Sequence, residues 1–403
     1  MSRKIAQFGI RDVFAVALLI GAASAFAQGN EAWSAAVAQG AAQAEQGNLT
    51  LGLESLDAAR RAAVTPMEKA RAAGELGAAL AQARRYDEAQ EQLREAYALT
   101  TGAVRARYAA DLGNLAVLRK REAEARRLYT EARALAADDP DVRLAIDVNL
   151  ARLAPRNERL AQLDAVYPAI ARLPDSPAKA QAYLNVGIQA RALGNAAVPL
   201  SYRSLDAARR LLAPLGASRA LVEALDALAQ LYEDEGRAGD ALHLTREALA
   251  MGKSLPPAIV ADVAINLEWR QGRLLRAAGD DDAALAAYQR AVDQIEAVRQ
   301  DIPIEYEDGR SSFQATLGPI YLGLIDLMLT GADRQAADPP DARLRRTISI
   351  VELIKQTEMQ DFLGDRCAVE STHPAGDQKL PATTAVHYPI QLPDPVELQL
   401  DTQ

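Results

Sequence analysis

The chain has 403 residues, a formal net charge of −9, 49% hydrophobic and 25% charged residues, the balance of a globular protein with ample apolar material for a core. Aromatics are only 5%, and no basic stripe with interleaved aromatics occurs, which argues against a nucleic-acid partner. One cysteine, Cys367, rules out an internal disulfide.

Residues 1–27 read as a segment apart. Arg3, Lys4 and Arg11 make a positive start, Val13 to Ala23 is a short apolar run, and Ala25-Phe26-Ala27 is an A-x-A cleavage site. This is the pattern of a secretory signal peptide. A membrane anchor needs roughly 20 apolar residues, about twice this run, so no stable membrane span is expected after cleavage. No cysteine stands at the cleavage point for lipidation, and no adjacent Arg pair marks export in a folded state. The predicted location is the periplasm of a Gram-negative cell, or outside the cell.

From residue 28 to about 300 the chain is a ladder of small residues. Gly40, Gly77, Gly113, Asn149, Gly187, Ala229 and Gly272 recur at gaps of 37, 36, 36, 38, 42 and 43 residues. Twelve residues after each comes a second marker: Gly52, Ala89, Ala125, Ala161, Pro199, Ala241 and Ala284. A two-point signature at this period means stacked repeats. Each unit reads as two antiparallel helices. Leu76, Gly77 and Leu80 share one helical face, Arg84 to Asp87 make a polar turn, and Ala89, Leu93 and Ala96 line the second helix. Gly or Ala at the crossing lets two backbones approach, while Leu or Tyr fills the space beside it.

The pattern resembles the tetratricopeptide repeat, with its small eighth residue, alanine at the twentieth, aromatic at the twenty-fourth and alanine at the twenty-seventh. Gly272, Ala284, Tyr288 and Ala291 match all four, and so do Gly113, Ala125, Tyr129 and Ala132. The unit holding Asn149 departs with Pro168 at its twenty-seventh place, and the next with Pro199 and Asp206. The two widest gaps suggest helices lengthened by about two turns. The expected fold is all-α: a solenoid of about seven helical hairpins, then connector helices over 301–368, and a short C-terminal β stub in 369–403.

Past Gln300 the periodicity stops. Ser312 to Leu329 reads as an apolar helix, Gly331 to Pro340 as a loop, and Arg343 to Leu363 as a long amphipathic helix. Ala385 to Leu392 and Val396 to Leu400 read as two strands about the turn Pro393-Asp394-Pro395. Following such repeats, the stretches Pro319 to Leu327, Val351 to Leu363 and Ala385 to Leu400 look like the approach to a CHAT domain, a caspase-like α/β domain appended to helical repeats in bacterial proteins. The resemblance implies a His–Cys dyad well downstream of the first hairpin. The chain ends before it, so no residue here is carried over as catalytic.

Other candidate chemistry is weak. Cys367 with His373 or His387 has the wrong order for a caspase-like pair. Asp280-Asp281-Asp282 and Asp138-Asp139-Pro140 fall at helix starts, where Asp caps the next helix, and the first lacks the spacing of a calcium loop. His243 has no second ligand near it. No catalytic, metal or cofactor site is assigned.

The repeat-packing residues are Gly77, Ala89, Gly113, Ala125, Tyr129, Gly272, Ala284 and Tyr288. The concave face of such an array is lined by first helices, which nominates Asn114, Ile146, Leu150, Leu184, Ile188, Gln230, Trp269 and Arg273 as a peptide groove. The Lys and Asn set with which chaperone-type repeats clamp a carboxylate is absent, and an extended or helical peptide with an apolar centre suits the face better. The reading that follows is an exported protein-interaction scaffold, the partner-recognition half of a CHAT-type protein without its catalytic half. Two alternatives stay open: a non-catalytic subunit of a cysteine peptidase completed by a separate chain, and an envelope-assembly scaffold unrelated to proteolysis.

Overall fold

A computed structural model describes residues 31–45, 49–297, 317–330 and 345–355, together with four two-residue strands between 386 and 402. The proposed signal segment, Cys367, His373 and the loop at 331–340 lie outside the described residues. Seven helical hairpins follow one another: α1 (Glu31–Glu45) with α2 (Leu49–Ala62), α3 (Pro66–Gln82) with α4 (Tyr86–Ala98), α5 (Gly102–Leu118) with α6 (Glu122–Leu135), α7 (Pro140–Leu153) with α8 (Arg156–Ala171), α9 (Pro177–Arg191) with α10 (Val198–Leu212), α11 (Arg219–Asp234) with α12 (Ala238–Gly252), and α13 (Pro257–Ala277) with α14 (Asp281–Ala297). The chain divides into two compact units, with the boundary at Val260 and Ala261 inside α13.

Local sequence sets the helix limits. Thr65 and Glu68 form a reciprocal capping box at α3, with Pro66 in the first turn. Asp139, Ser176 and Ser218 cap α7, α9 and α11 by accepting from a backbone N–H three residues on. The Oδ1 of Asp280 accepts from the N–H of Ala283 at 3.2 Å, the capping role read for the Asp280 run.

The small residues mark the helix crossings. A Cβ on Gly77 would lie 2.8 Å from Cγ of Leu93, and one on Gly113 would lie 2.6 Å from Cε1 of Tyr129. On Gly272 it would lie 2.6 Å from Cδ2 of Tyr288. Ala89, Ala125 and Ala284 are fully enclosed on the facing helices. Each distance is below any real contact of a Cβ, so glycine is required for these backbones to meet.

The two long gaps arise differently. Between Gly187 and Ala229 the helices are of ordinary length, and the extra residues form two 3-10 turns, Asn195–Ala197 and Ala213–Leu215. Between Ala229 and Gly272 the extra length is helical, because α13 runs for 21 residues. Lengthened helices therefore explain only the second gap. Pro199, one of the departures, sits in the first turn of α10, where its missing N–H is harmless.

Within the unit beginning at Ala261, α15 (Gly318–Thr330) follows the last hairpin and packs on it as a further first helix would. Gly323 lies against the ring of Tyr288. Arg276 pairs with Asp326 at 2.5 Å, and the hydroxyl of Tyr321 donates to Glu296. Residues 345–355 are also helical. The strands β1 (Val386–His387), β2 (Ile390–Gln391), β3 (Glu397–Leu398) and β4 (Asp401–Thr402) pair antiparallel, β1 with β4 and β2 with β3. Val386 faces Thr402 and Ile390 faces Leu398, one continuous register, as in a single hairpin.

Candidate functional site: the first-helix face

In the unit ending at Val260, each first helix touches the next: α1 with α3, α3 with α5, α5 with α7, α7 with α9, and α9 with α11. Consecutive second helices come less close, and long side chains bridge them. Arg60 on α2 reaches Glu95 on α4 at 2.6 Å. Tyr97 on α4 donates to Glu131 on α6, and Arg203 on α10 pairs with Asp164 on α8. A stack crowded on one side and splayed on the other curves toward the crowded side. The inner face therefore belongs to the first helices, as the repeat pattern predicts.

The crowding decides which nominated groove residues are available. Ile146 and Leu184 are 0% exposed. Both lie where one first helix meets the next, and they belong to the core rather than to an open groove. Asn114 is also fully buried. Its Oδ1 accepts from the hydroxyl of Tyr129 at 2.6 Å and from Nδ2 of Asn149 at 3.3 Å. Burial pushes the Tyr129 hydroxyl well above its ordinary pKa, which keeps it a neutral donor. The cluster clasps α5, α6 and α7 together, and it accounts for Asn149 at a place where other units carry Gly or Ala. The groove assignment of Asn114, Ile146 and Leu184 is corrected accordingly.

Leu150, Ile188 and Gln230 are half-buried. Gln230 donates to Glu233 at 3.2 Å and Asp234 at 3.1 Å, and Asp234 also pairs with Arg191 of α9 at 2.8 Å. Along this unit the face thus offers isolated apolar side chains, then a hydrogen-bonded polar stretch. Trp269 and Arg273 lie in the other unit and stack on each other, the guanidinium carbon 4.3 Å from the ring centroid.

Among the described residues no group of three His, Cys, Asp or Glu could hold a metal ion, and His243 is exposed on α12. No described helix is long and apolar enough to cross a membrane.

Sequence reasoning missed a second feature, on the splayed side. A cleft of about 50 Å³ opens between α4, α5 and α6, rimmed by Arg94, Arg119, Arg121 and Arg127. Its signal was present in Arg119-Lys120-Arg121, but a helix–helix turn conceals which side chains converge.

No protein-family profile matches this sequence, and no curated protein matches it. Solved structures do. A signal transduction ATPase with numerous domains and a tetratricopeptide repeat sensor, from Pyrococcus horikoshii, is 12% identical over 81% of this chain and 50% of its own, with a TM-score of 0.51. A tetratricopeptide repeat protein from Parabacteroides merdae is 15% identical over 68% of this chain and 98% of its own, with a TM-score of 0.40. A human IFIT1 dimer with PPP-AAAA is 14% identical over 80% of this chain and 67% of its own, with a TM-score of 0.49. Likeness at such low identity speaks to fold alone. The fold is an all-α, tetratricopeptide-type solenoid of helical hairpins.

Proposed function

We propose that this chain is an exported protein-interaction scaffold, and that a peptide segment of its partner docks on the first-helix face. The observation that carries this reading is the curvature of the unit ending at Val260. Its first helices crowd together and leave Leu150, Ile188 and Gln230 half-buried along one face. A face of separated apolar side chains flanked by polar groups suits an extended or helical peptide. Repeat stacks commonly serve as such binding surfaces.

The finer reading is that the scaffold is the partner-recognition half of a CHAT-type, caspase-like protein. Its support is the order of elements: the helix at 345–355 and the strand pairs between 386 and 402 follow the repeats in the sequence stretches that resemble that family's approach. Export rests on the signal pattern of residues 1–27.

Expression of the whole chain in a Gram-negative host tests both parts. The expected product is periplasmic, begins at Gln28 and cleaves no peptide. A cytoplasmic product of full mass would overturn export. Peptidase activity that disappears in Cys367→Ala would overturn the scaffold assignment.

A further inference from the structure

We propose that the cleft between α4, α5 and α6 is an oxyanion site, one that takes a tetrahedral phosphate- or sulfate-like group. It lies on the splayed side of the stack and is separate from the proposed peptide face.

Four arginines rim it: Arg94 from α4, Arg119 from the end of α5, and Arg121 and Arg127 from the start and middle of α6. The chain as a whole carries −9, so the rim is a local reversal of charge. Leu112, Leu115 and Leu128 form an apolar floor, which lowers the local dielectric and strengthens each charge contact.

The guanidiniums are placed, and their donors are only partly used. Arg119 is held by Asp87, outside the lining, at 2.8 Å and by Gln90, itself in the lining, at 3.0 Å. Arg121 stands 3.6 Å from Glu124, and Arg127 stands 3.6 Å from Glu131. Both separations exceed hydrogen-bonding distance, so these forks can turn to another acceptor. Guanidinium forks match tetrahedral oxyanions in shape and bind them in pairs of parallel bonds.

A backbone feature points the same way. Arg121 is the N-cap residue of α6 and offers no side-chain cap, and the first-turn N–H groups of a helix carry partial positive charge.

Size selects the ligand class. At about 10–15 Å³ per water, the 50 Å³ cleft has room for a group of a few heavy atoms. Glu124 is the one acid in the lining, and it sets a preference for a ligand with enough charge to displace it.

Titration calorimetry with the full chain and inorganic phosphate tests this, at constant ionic strength with chloride as the reference. One phosphate per chain is expected. Arg94→Ala/Arg127→Ala, which removes two exposed side chains, should weaken binding at least tenfold. Glu124→Gln should tighten it severalfold, a gain that no unfolding could mimic. Arg246→Ala, which removes a positive charge on α12, should change nothing. A phosphoserine peptide run beside its unphosphorylated form separates the two sources of the group: tighter binding than free phosphate means a partner carries it, and equal or weaker binding means the free ion. No heat above the chloride reference, or equal affinity in the double arginine variant, overturns the proposal.

Discussion

Gly113 and Tyr129 show how single residues set the repeat. The ring of Tyr129 fills the volume in which a Cβ of residue 113 would sit, 2.6 Å from Cε1. Gly113→Ala must push the two helices apart, and we expect a loss of about 1–3 kcal/mol. Gly272→Leu and Ala284→Leu should cost at least as much in the last hairpin, for the same reason. An unchanged melting temperature in all three variants would refute the repeat register. The opposite sign is expected at Lys120, whose φ of 55° suits glycine. Lys120→Gly should gain about 0.5–1 kcal/mol and leave phosphate affinity as it was, because Lys120 flanks the cleft without lining it. These crossings were legible in the sequence because a small residue at a fixed period has one economical explanation. The role of Asn114 was not legible. Its position marks it as inner-face, and only the arrival of the Tyr129 hydroxyl and the Asn149 amide turns it into a buried clasp.

Helix ends and connections carry the information at the next scale. The carboxylate of Glu68 accepts from the N–H groups of Thr65 and Val64, and these bonds hold its pKa below the usual carboxylate range, Thr65 contributing most. A carboxylate depressed in the folded state stabilises above its unfolded pKa, and that stability disappears as pH falls through the folded value. Glu68→Gln should therefore flatten the acid limb of a stability profile as pH falls below the ordinary carboxylate range, with little effect on its shape at neutral pH. Thr65→Ala should lower stability by about 1 kcal/mol at neutral pH, as read by denaturant unfolding. Sequence spacing disclosed the hairpins, but it could not tell a longer helix from an inserted turn. The gap of 42 residues contains the 3-10 turns Asn195–Ala197 and Ala213–Leu215, while the gap of 43 contains the long α13. A count of residues between markers differs by only one between the two.

At the scale of the molecule, the two sides of the stack differ in kind. First helices meet along α1, α3, α5, α7, α9 and α11 and bury apolar positions such as Ile146 and Leu184. Second helices stand apart, spanned by pairs such as Arg60 with Glu95. Curvature and the choice of face follow from that asymmetry, which no single repeat encodes, and so three of the nominated groove residues moved into the core. The most direct test of the account is to select binders from a displayed random-peptide library against the full chain and map the best one by hydrogen exchange. The account predicts protection along α7, α9 and α11, and binding that falls at least tenfold in Ile188→Asp. Protection confined to second helices, or affinity indifferent to Ile188→Asp, would contradict the claim that the first-helix face holds the partner.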